Sequence, residues 1–412
     1  MTKMKESGID WIGQIPEEWE VTKLKYALLI NNGKDYKDIE VEEDGYPVIG
    51  SGGVFARSRN YMYDGDVVLL GRKGTIDKPL FYSGKFWTVD TMFYSTALNG
   101  NNIKFMYYSS LLIPFSYYST ATALPSMTQS DLNNHMLCLP SISEQQKIAD
   151  FLDKKTAQLD KVKALLGEQI QKLKDYRASL IYETVTKGLD TTVPMKDSGI
   201  DWIGQIPEEW EVSKLEQYVD IFGRIGFRGY TTNDIVNEGE GAISYSPSNI
   251  IDYSVIDNNN TYISWSKYDE SPEIQIKTGD VLYVKTGSSY GKAGIVNKLS
   301  NKATINPQLV VLKPKKNTDS RLINYFLNSS VGKDQSELIV GGSTIPTITQ
   351  ESIKKMIFPK MSFEEQQKIA DFLDNKTIQI DKLIQIKNQQ IENINKQRQT
   401  LIYDYVTGKR RV

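Results

Sequence analysis

Apolar positions recur every seventh residue along two long stretches of this chain. In the first, Leu152, Leu159, Leu166, Leu173 and Leu180 form one line; Ile148, Val162 and Tyr176 form a second, interrupted by Lys155 and Gln169. In the second stretch, Ile369, Leu373, Ile380, Leu383, Ile394 and Leu401 keep the register, with Lys387 as the exception. Two apolar positions per heptad make a narrow helical seam suited to a partner helix. Each stretch opens with a capping box, Ser141-x-x-Glu144 and Ser362-x-x-Glu365, which satisfies free amides of the first turn. The first helix is predicted to end near Gly188, before Pro194. About 45 residues at 1.5 Å each give a rod of roughly 65 Å. Two matching stripes in one chain predict that the helices pair antiparallel with each other.

Elsewhere the apolar runs are short and strand-like, amid glycine and tyrosine. Residues 25–140 contain Tyr46–Gly53, Asp66–Leu70 and Lys85–Val89, and residues 216–360 contain Asp280–Val284, Ala293–Val296 and Gln308–Leu312. Helical material there is limited, as at Arg321–Asn328. Both stretches read as α+β domains whose strands are joined by irregular loops.

The chain repeats itself. MKESGIDWIGQIPEEWEVTKL at 4–24 returns as MKDSGIDWIGQIPEEWEVSKL at 195–215, differing only at Glu6/Asp197 and Thr22/Ser213. The helix starts from Ser141 and Ser362 match, as do YRASLIYETVTKG at 176–188 and QRQTLIYDYVTGK at 397–409. The two 25–140 and 216–360 domains match only at landmarks. One sets Gly65-Asp66-Val67-Val68-Leu69-Leu70 beside Gly279-Asp280-Val281-Leu282-Tyr283-Val284; another sets Leu124–Gln129 beside Ile345–Gln350. Near-identical supports carrying different inserts imply one scaffold with two specificities. The first helix leads into the second tryptophan motif, whereas the second helix ends at the C-terminus. A two-fold relation between the halves therefore predicts that the N-terminal motif docks beside the C-terminus, closing a circle. Trp11, Trp19, Trp202 and Trp210 are the expected anchors.

Composition narrows the chemistry. The 412 residues suggest two or three domains, with 49 Lys+Arg against 51 Asp+Glu leaving a net charge of −2. Cys138 is the sole cysteine and His135 the sole histidine, which excludes a disulfide framework, thiolate metal cages and most His-based catalysis. Both are expected to be core residues. No apolar stretch approaches the roughly 18 residues of a membrane span, and the N-terminus carries no apolar signal core. A cytoplasmic protein poor in catalytic side chains is expected.

Several loops carry donors suited to phosphates and base edges. They are Arg57 and Arg59, Arg72 and Lys73 in the first domain, and Arg224, Arg228, Lys285, Ser288, Ser289 and Lys292 in the second. Arginine reads guanine, Asn or Gln reads adenine, and glycine lets backbone amides approach a phosphate. Gly287-Ser-Ser-Tyr-Gly291-Lys292-Ala293 looks like a phosphate loop but is one residue short and lacks the metal-binding Ser/Thr. Gly223-x-x-Gly226-x-x-Gly229 has no βαβ context.

The duplicated Trp-Ile-Gly-x-Ile-Pro-x-x-Trp motif, the Gly-Asp-Val strand and the repeated Glu-Gln-Gln-Lys-Ile-Ala-x-Phe-Leu-Asp helix start together resemble one family. It is the specificity subunit of type I restriction–modification enzymes. The resemblance spans the whole chain. It implies a repeat motif at 1–24, a first target recognition domain at 25–140 and a central helical spacer at 141–194. A repeat motif with a second recognition domain at 195–360 and a C-terminal spacer at 361–412 would follow. The implied fold is α+β: two α/β recognition domains separated by two long antiparallel paired helices in a pseudo-two-fold circular arrangement.

The resemblance also implies double-stranded DNA as ligand and no cofactor in this chain. The implied partners are two methyltransferase subunits, which bind S-adenosylmethionine and methylate adenine N6, and two restriction/translocase subunits using ATP and Mg. Such a chain is not an enzyme alone. Half-sites about one turn apart, near 34 Å or 10 bp, would suit the helical rod. A pI near 5.8 is low for a self-sufficient DNA binder, so positive charge is expected to gather on one face and partners to supply much of the affinity. Two other readings are a nucleotide-binding enzyme using Lys292 and a scaffold with two protein-binding heads.

Overall fold

The computed structural model describes residues 3–118, 125–224, 226, 229–341 and 344–412. The chain forms two compact units, one of residues 1–167 with 388–412, the other of residues 168–387. Each contains one head, one tryptophan motif and parts of both long helices, Ile142–Lys187 and Phe363–Val406.

In unit 1 the motif forms a small hairpin, Met4–Glu6 on Gln14–Pro16, followed by strand Glu20–Lys23. That strand pairs with Met136–Leu139, the last strand of the head, directly before the long helix. The head's main sheet has seven strands, ordered Leu28–Asn32, Met92–Ala97, Tyr63–Gly71, Leu80–Thr88, Tyr46–Gly50, Gly53–Ser58 and Glu40–Val41. Tyr63–Gly71, the central strand of the part of the sheet that packs on the motif, is buried on both faces from Val67 onward. Val68 and Leu70 join a core with Trp19, Phe105, Leu152 and Val406, while Val67 and Leu69 join a second core with Val48 and Phe86.

Unit 2 repeats this plan. Strand Glu211–Lys214 pairs with Ile357–Lys360, and a six-stranded sheet centres on Val281–Val284. Val281 and Tyr283 face Leu373 and Trp210, whereas Leu282 and Val284 face a separate core with Ile243 and Ile305.

Strand register corrects the first sequence landmark. Ile30 and Ile221 occupy the same position, six residues beyond Leu24 and Leu215. Ile30 lies opposite Ser95, which lies opposite Val68. Ile221 lies opposite Leu312, which lies opposite Val281. Val68 therefore corresponds to Val281, not to Leu282. A shift of one residue exchanges the two faces of a strand. Here both faces are buried, so the apolar pattern has no alternation to reveal the shift.

Within each unit the two long helices run antiparallel. In unit 1, Phe151 packs on Tyr405 at 4.5 Å between ring centres, and Asp160 lies 3.8 Å from Arg398. In unit 2, Lys387 donates to Gln169 at 2.6 Å, and Arg177 pairs with Asp381 at 3.4 Å. Leu152 and Leu373 are fully buried and Ile380 nearly so; Leu159, Leu166, Leu173, Leu180, Ile394 and Leu401 are half-buried.

The second line of the seam differs from the expected one. Val162, Tyr176 and Leu383 are 46%, 55% and 48% exposed. Their places are taken by Thr156, Ile170 and Arg177 on the first helix and by Thr377, Ile384 and Arg398 on the second, none of them exposed. A heptad alternates steps of three and four residues, and in this second line Ile170 and Ile384 alternate with polar side chains that have partners. Arg177 lies over the Tyr253 ring at 4.6 Å, and Thr156 and Thr377 share tyrosine hydroxyls.

Candidate nucleic-acid interface

The same backbone clamp holds the segment after each central strand. In unit 1, Lys73 bridges Ser126, Gly74 N donates to Pro125 O at 2.8 Å, and Met127 N donates to Arg72 O at 3.0 Å. In unit 2, Thr286 bridges Thr347, Gly287 N donates to Pro346 O at 3.0 Å, and Ile348 N donates to Lys285 O at 2.7 Å. Gly74 and Gly287 have φ of +81° and +101°, a region closed to most side chains. The clamp pairs Arg72 with Lys285 and Lys73 with Thr286, so equivalent positions carry different chemistry.

The basic residues selected from sequence have different surroundings. Lys73, Ser288 and Ser289 are exposed on these loops, and Arg72, Lys285 and Lys292 are half-buried there. Arg72 Nη1 donates to Asp90 O at 3.3 Å, with the guanidinium 5.9 Å from the Phe93 ring. Arg57 and Arg59 are exposed but tethered, donating to Gly45 O and Asp38 O at 2.8 Å each. Arg224 is not on a surface loop: it is 5% exposed, and its Nε donates to Ile305 O at 3.1 Å. Its Nη2 reaches Thr304 Oγ1 at 3.2 Å, and burial lowers its pKa from the ordinary guanidinium value. Arg228 lies outside the described residues. Gln129, a side chain of the adenine-reading type, gives its amide to Ile30 O at 2.7 Å.

Gly287–Lys292 forms a turn between the antiparallel strands Val281–Val284 and Ala293–Ile295, with no helix following to complete a phosphate loop. Among the described residues, no group of three or more His, Cys, Asp or Glu could hold a metal ion.

The sequence reading missed how each head is anchored. Gln145 Oε1 accepts from Asn102 N at 2.9 Å, and Gln366 Oε1 accepts from Asp319 N at 3.0 Å. Tyr108 donates to Asp153, and Tyr325 to Asp374, at 2.8 Å in both units. Lys104 pairs with Asp153, and Arg321 with Asp374. Burial pushes both tyrosine hydroxyls above their ordinary pKa. The signal was present, because Gln145, Asp153 and Thr156 recur as Gln366, Asp374 and Thr377 in the repeated helix start.

The N-terminal motif docks on the end of the second long helix within unit 1. Tyr403 Oη donates to Trp11 O at 3.1 Å, and Lys409 Nζ to Ile12 O at 2.8 Å. Trp19 and Trp210 are buried, whereas Trp11 is 36% exposed and stacks on His135 at 5.9 Å. His135 is itself buried and pairs with Tyr118 Oη at 2.9 Å.

A family model described as a type I restriction modification DNA specificity domain matches residues 16–173 and 207–396. The chain is 24% identical to the type I restriction enzyme MjaVIII specificity subunit of Methanocaldococcus jannaschii, over 97% of this chain and 94% of that one. It is 22% identical to the EcoBI specificity subunit of Escherichia coli, over 98% and 89% of the two chains. A chain from a solved type I R-M system aligns with a TM-score of 0.73 at 16% identity, covering 95% of this chain and 98% of that one. The HsdS subunit from Thermoanaerobacter tengcongensis aligns at 0.52 and 16% identity, covering 96% and 98%. At that identity the two structures share a fold with this chain.

Proposed function

Because the chain belongs to the type I restriction–modification DNA specificity family, we propose that it reads an asymmetric, two-part DNA site, one half per head. One observation carries this reading. The two heads hold the segment after the central strand in the same backbone clamp but place Arg72-Lys73 in one and Lys285-Thr286 in the other. Identical frames with different donors suit two different half-sites.

The chain contributes recognition and positioning, and chemistry falls to its partners. Two methyltransferase subunits would bring S-adenosylmethionine, and two restriction subunits would bring ATP and Mg. The paired helices would set the gap between half-sites. Removing or adding one heptad in both helices is expected to change the gap and leave the half-site sequences unchanged. The acidic pI supports weak DNA binding by the isolated chain, strengthened by the methyltransferase.

The deciding experiment is genome-wide detection of N6-methyladenine in cells with and without this gene. A split, non-palindromic motif present only with the gene is expected. A single uninterrupted motif, or no difference, would overturn the proposal.

A further inference from the structure

An equivalent pair of carboxylates stands at the end of each long helix, but among the described residues only one pair meets an arginine of its own chain. In unit 1, Gly408 caps the second helix with φ +70°, and Lys409-Arg410-Arg411-Val412 follows. Arg411 pairs with Glu18 of the Ile-Pro-Glu-Glu-Trp motif, and its Nη1 lies 3.4 Å from Glu144 of the capping box. Trp19 Nε1 donates to the other Glu144 oxygen at 3.2 Å.

Unit 2 repeats the acidic side of this arrangement. Glu209 stands where Glu18 stands in the motif, and Glu365 where Glu144 stands in the capping box. The segment after Gly188, however, is Leu189-Asp190-Thr191-Thr192 and brings no cation. Asp190 turns its carboxylate to Thr192 N at 2.8 Å. Asp190, Glu208, Glu209 and Glu365 line a groove of ≈ 530 Å³ together with Pro207 and Trp210. Lys187 also lines it, with its ammonium 6.0 Å from the Tyr182 ring. Four carboxylates against one ammonium leave the groove strongly negative.

We propose that this groove binds an arginine side chain supplied by another polypeptide, held between Glu209 and Glu365 as Arg411 is held between Glu18 and Glu144. A guanidinium donates through a rigid fork to two carboxylates at once, whereas an ammonium acts as a point charge. Its alkyl stem covers apolar surface such as that of Pro207 and Trp210. Unit 1 already supplies its own arginine, so the partner binds once per chain. That single occupancy distinguishes it from a partner that meets both halves alike. This inference is independent of the DNA reading, and its failure would leave the methylation experiment unaffected.

The test is calorimetric titration of the full chain with the peptide Gly-Lys-Arg-Arg-Val, the sequence of residues 408–412. One equivalent is expected to bind, and a peptide with lysine at both arginine positions is expected to bind about tenfold more weakly or worse. Glu209→Gln combined with Glu365→Gln should weaken binding by about ten- to a hundredfold. Ser362 Oγ accepts from the backbone N of Glu365 at 3.1 Å, a cap that does not use the carboxylate, so glutamine at 365 leaves it in place. Asp190→Lys, an exposed change that installs a local cation, should also block the peptide. No binding up to roughly 1 mM, equal binding of the lysine peptide, or full affinity in either variant would overturn the proposal.

Discussion

Tyr108 Oη donates to the Asp153 carboxylate at 2.8 Å, tying the first head to the helix that follows it. Tyr325 and Asp374 make the same bond in unit 2. A hydrogen bond to a charged group contributes about 1.5–3 kcal/mol. Tyr108→Phe and Tyr325→Phe are each expected to lower stability by about 1–2 kcal/mol in thermal unfolding. Unchanged melting in both variants would refute the anchor.

The observed seam separates neighbouring residues. Ile380 is 5% exposed and Leu383 48%. Ile380→Ala is expected to cost about 2–4 kcal/mol, and Leu383→Ala less than about 0.5 kcal/mol. Equal losses in denaturant unfolding would restore the register read from the heptads alone.

Gly408 combines two constraints. Its φ is +70°, and a β-carbon there would stand 2.4 Å from Pro16 Cδ. Gly408→Ala is expected to cost more than about 1 kcal/mol and to speed amide exchange across residues 9–19, measured by mass spectrometry.

Burial lowers the His135 pKa from 6.5 to about 4. The folded protein keeps the imidazole neutral while the unfolded chain protonates it, so the unfolded state binds more protons between these values. This stability is fully present above pH 6.5 and is lost as pH falls toward 4, by up to about 3 kcal/mol. His135→Gln should flatten the pH dependence of the melting temperature across that window. A slope unchanged by the substitution would assign the effect to other groups.

The proposed heads predict separable DNA defects. Arg72→Ala should relax or abolish the first half-site only, and Lys285→Ala the second only, each base contact contributing about 1–3 kcal/mol of discrimination. Sequencing the methylated sites of each variant checks this. Defects spread over both half-sites would argue against independent heads.

The two capped helices, the duplication and the docking of the N-terminal motif beside the C-terminus were legible because each rests on local pattern or on repeats. Leu152 and Leu373 carried the seam's first line visibly. Its second line was hidden in Thr156, Arg177 and Arg398, whose polarity conceals their burial until their partners are known. Which basic residues are free at the surface and which are held internally was not legible. Arg224 looks like a surface donor until the Ile305 carbonyl is seen to occupy it.

Periodicity and self-similarity in the sequence thus determined that this protein has two helical struts and two unlike heads built on one plan. The tertiary structure alone decided that Val68 matches Val281, that Ile384 and not Leu383 enters the seam, and which arginines are held internally. The physical reason is common to all three. Apolar pattern reports how much of an element is buried, but a strand covered on both faces, or a polar side chain satisfied from a distant segment, shows its direction only when the partner is in place.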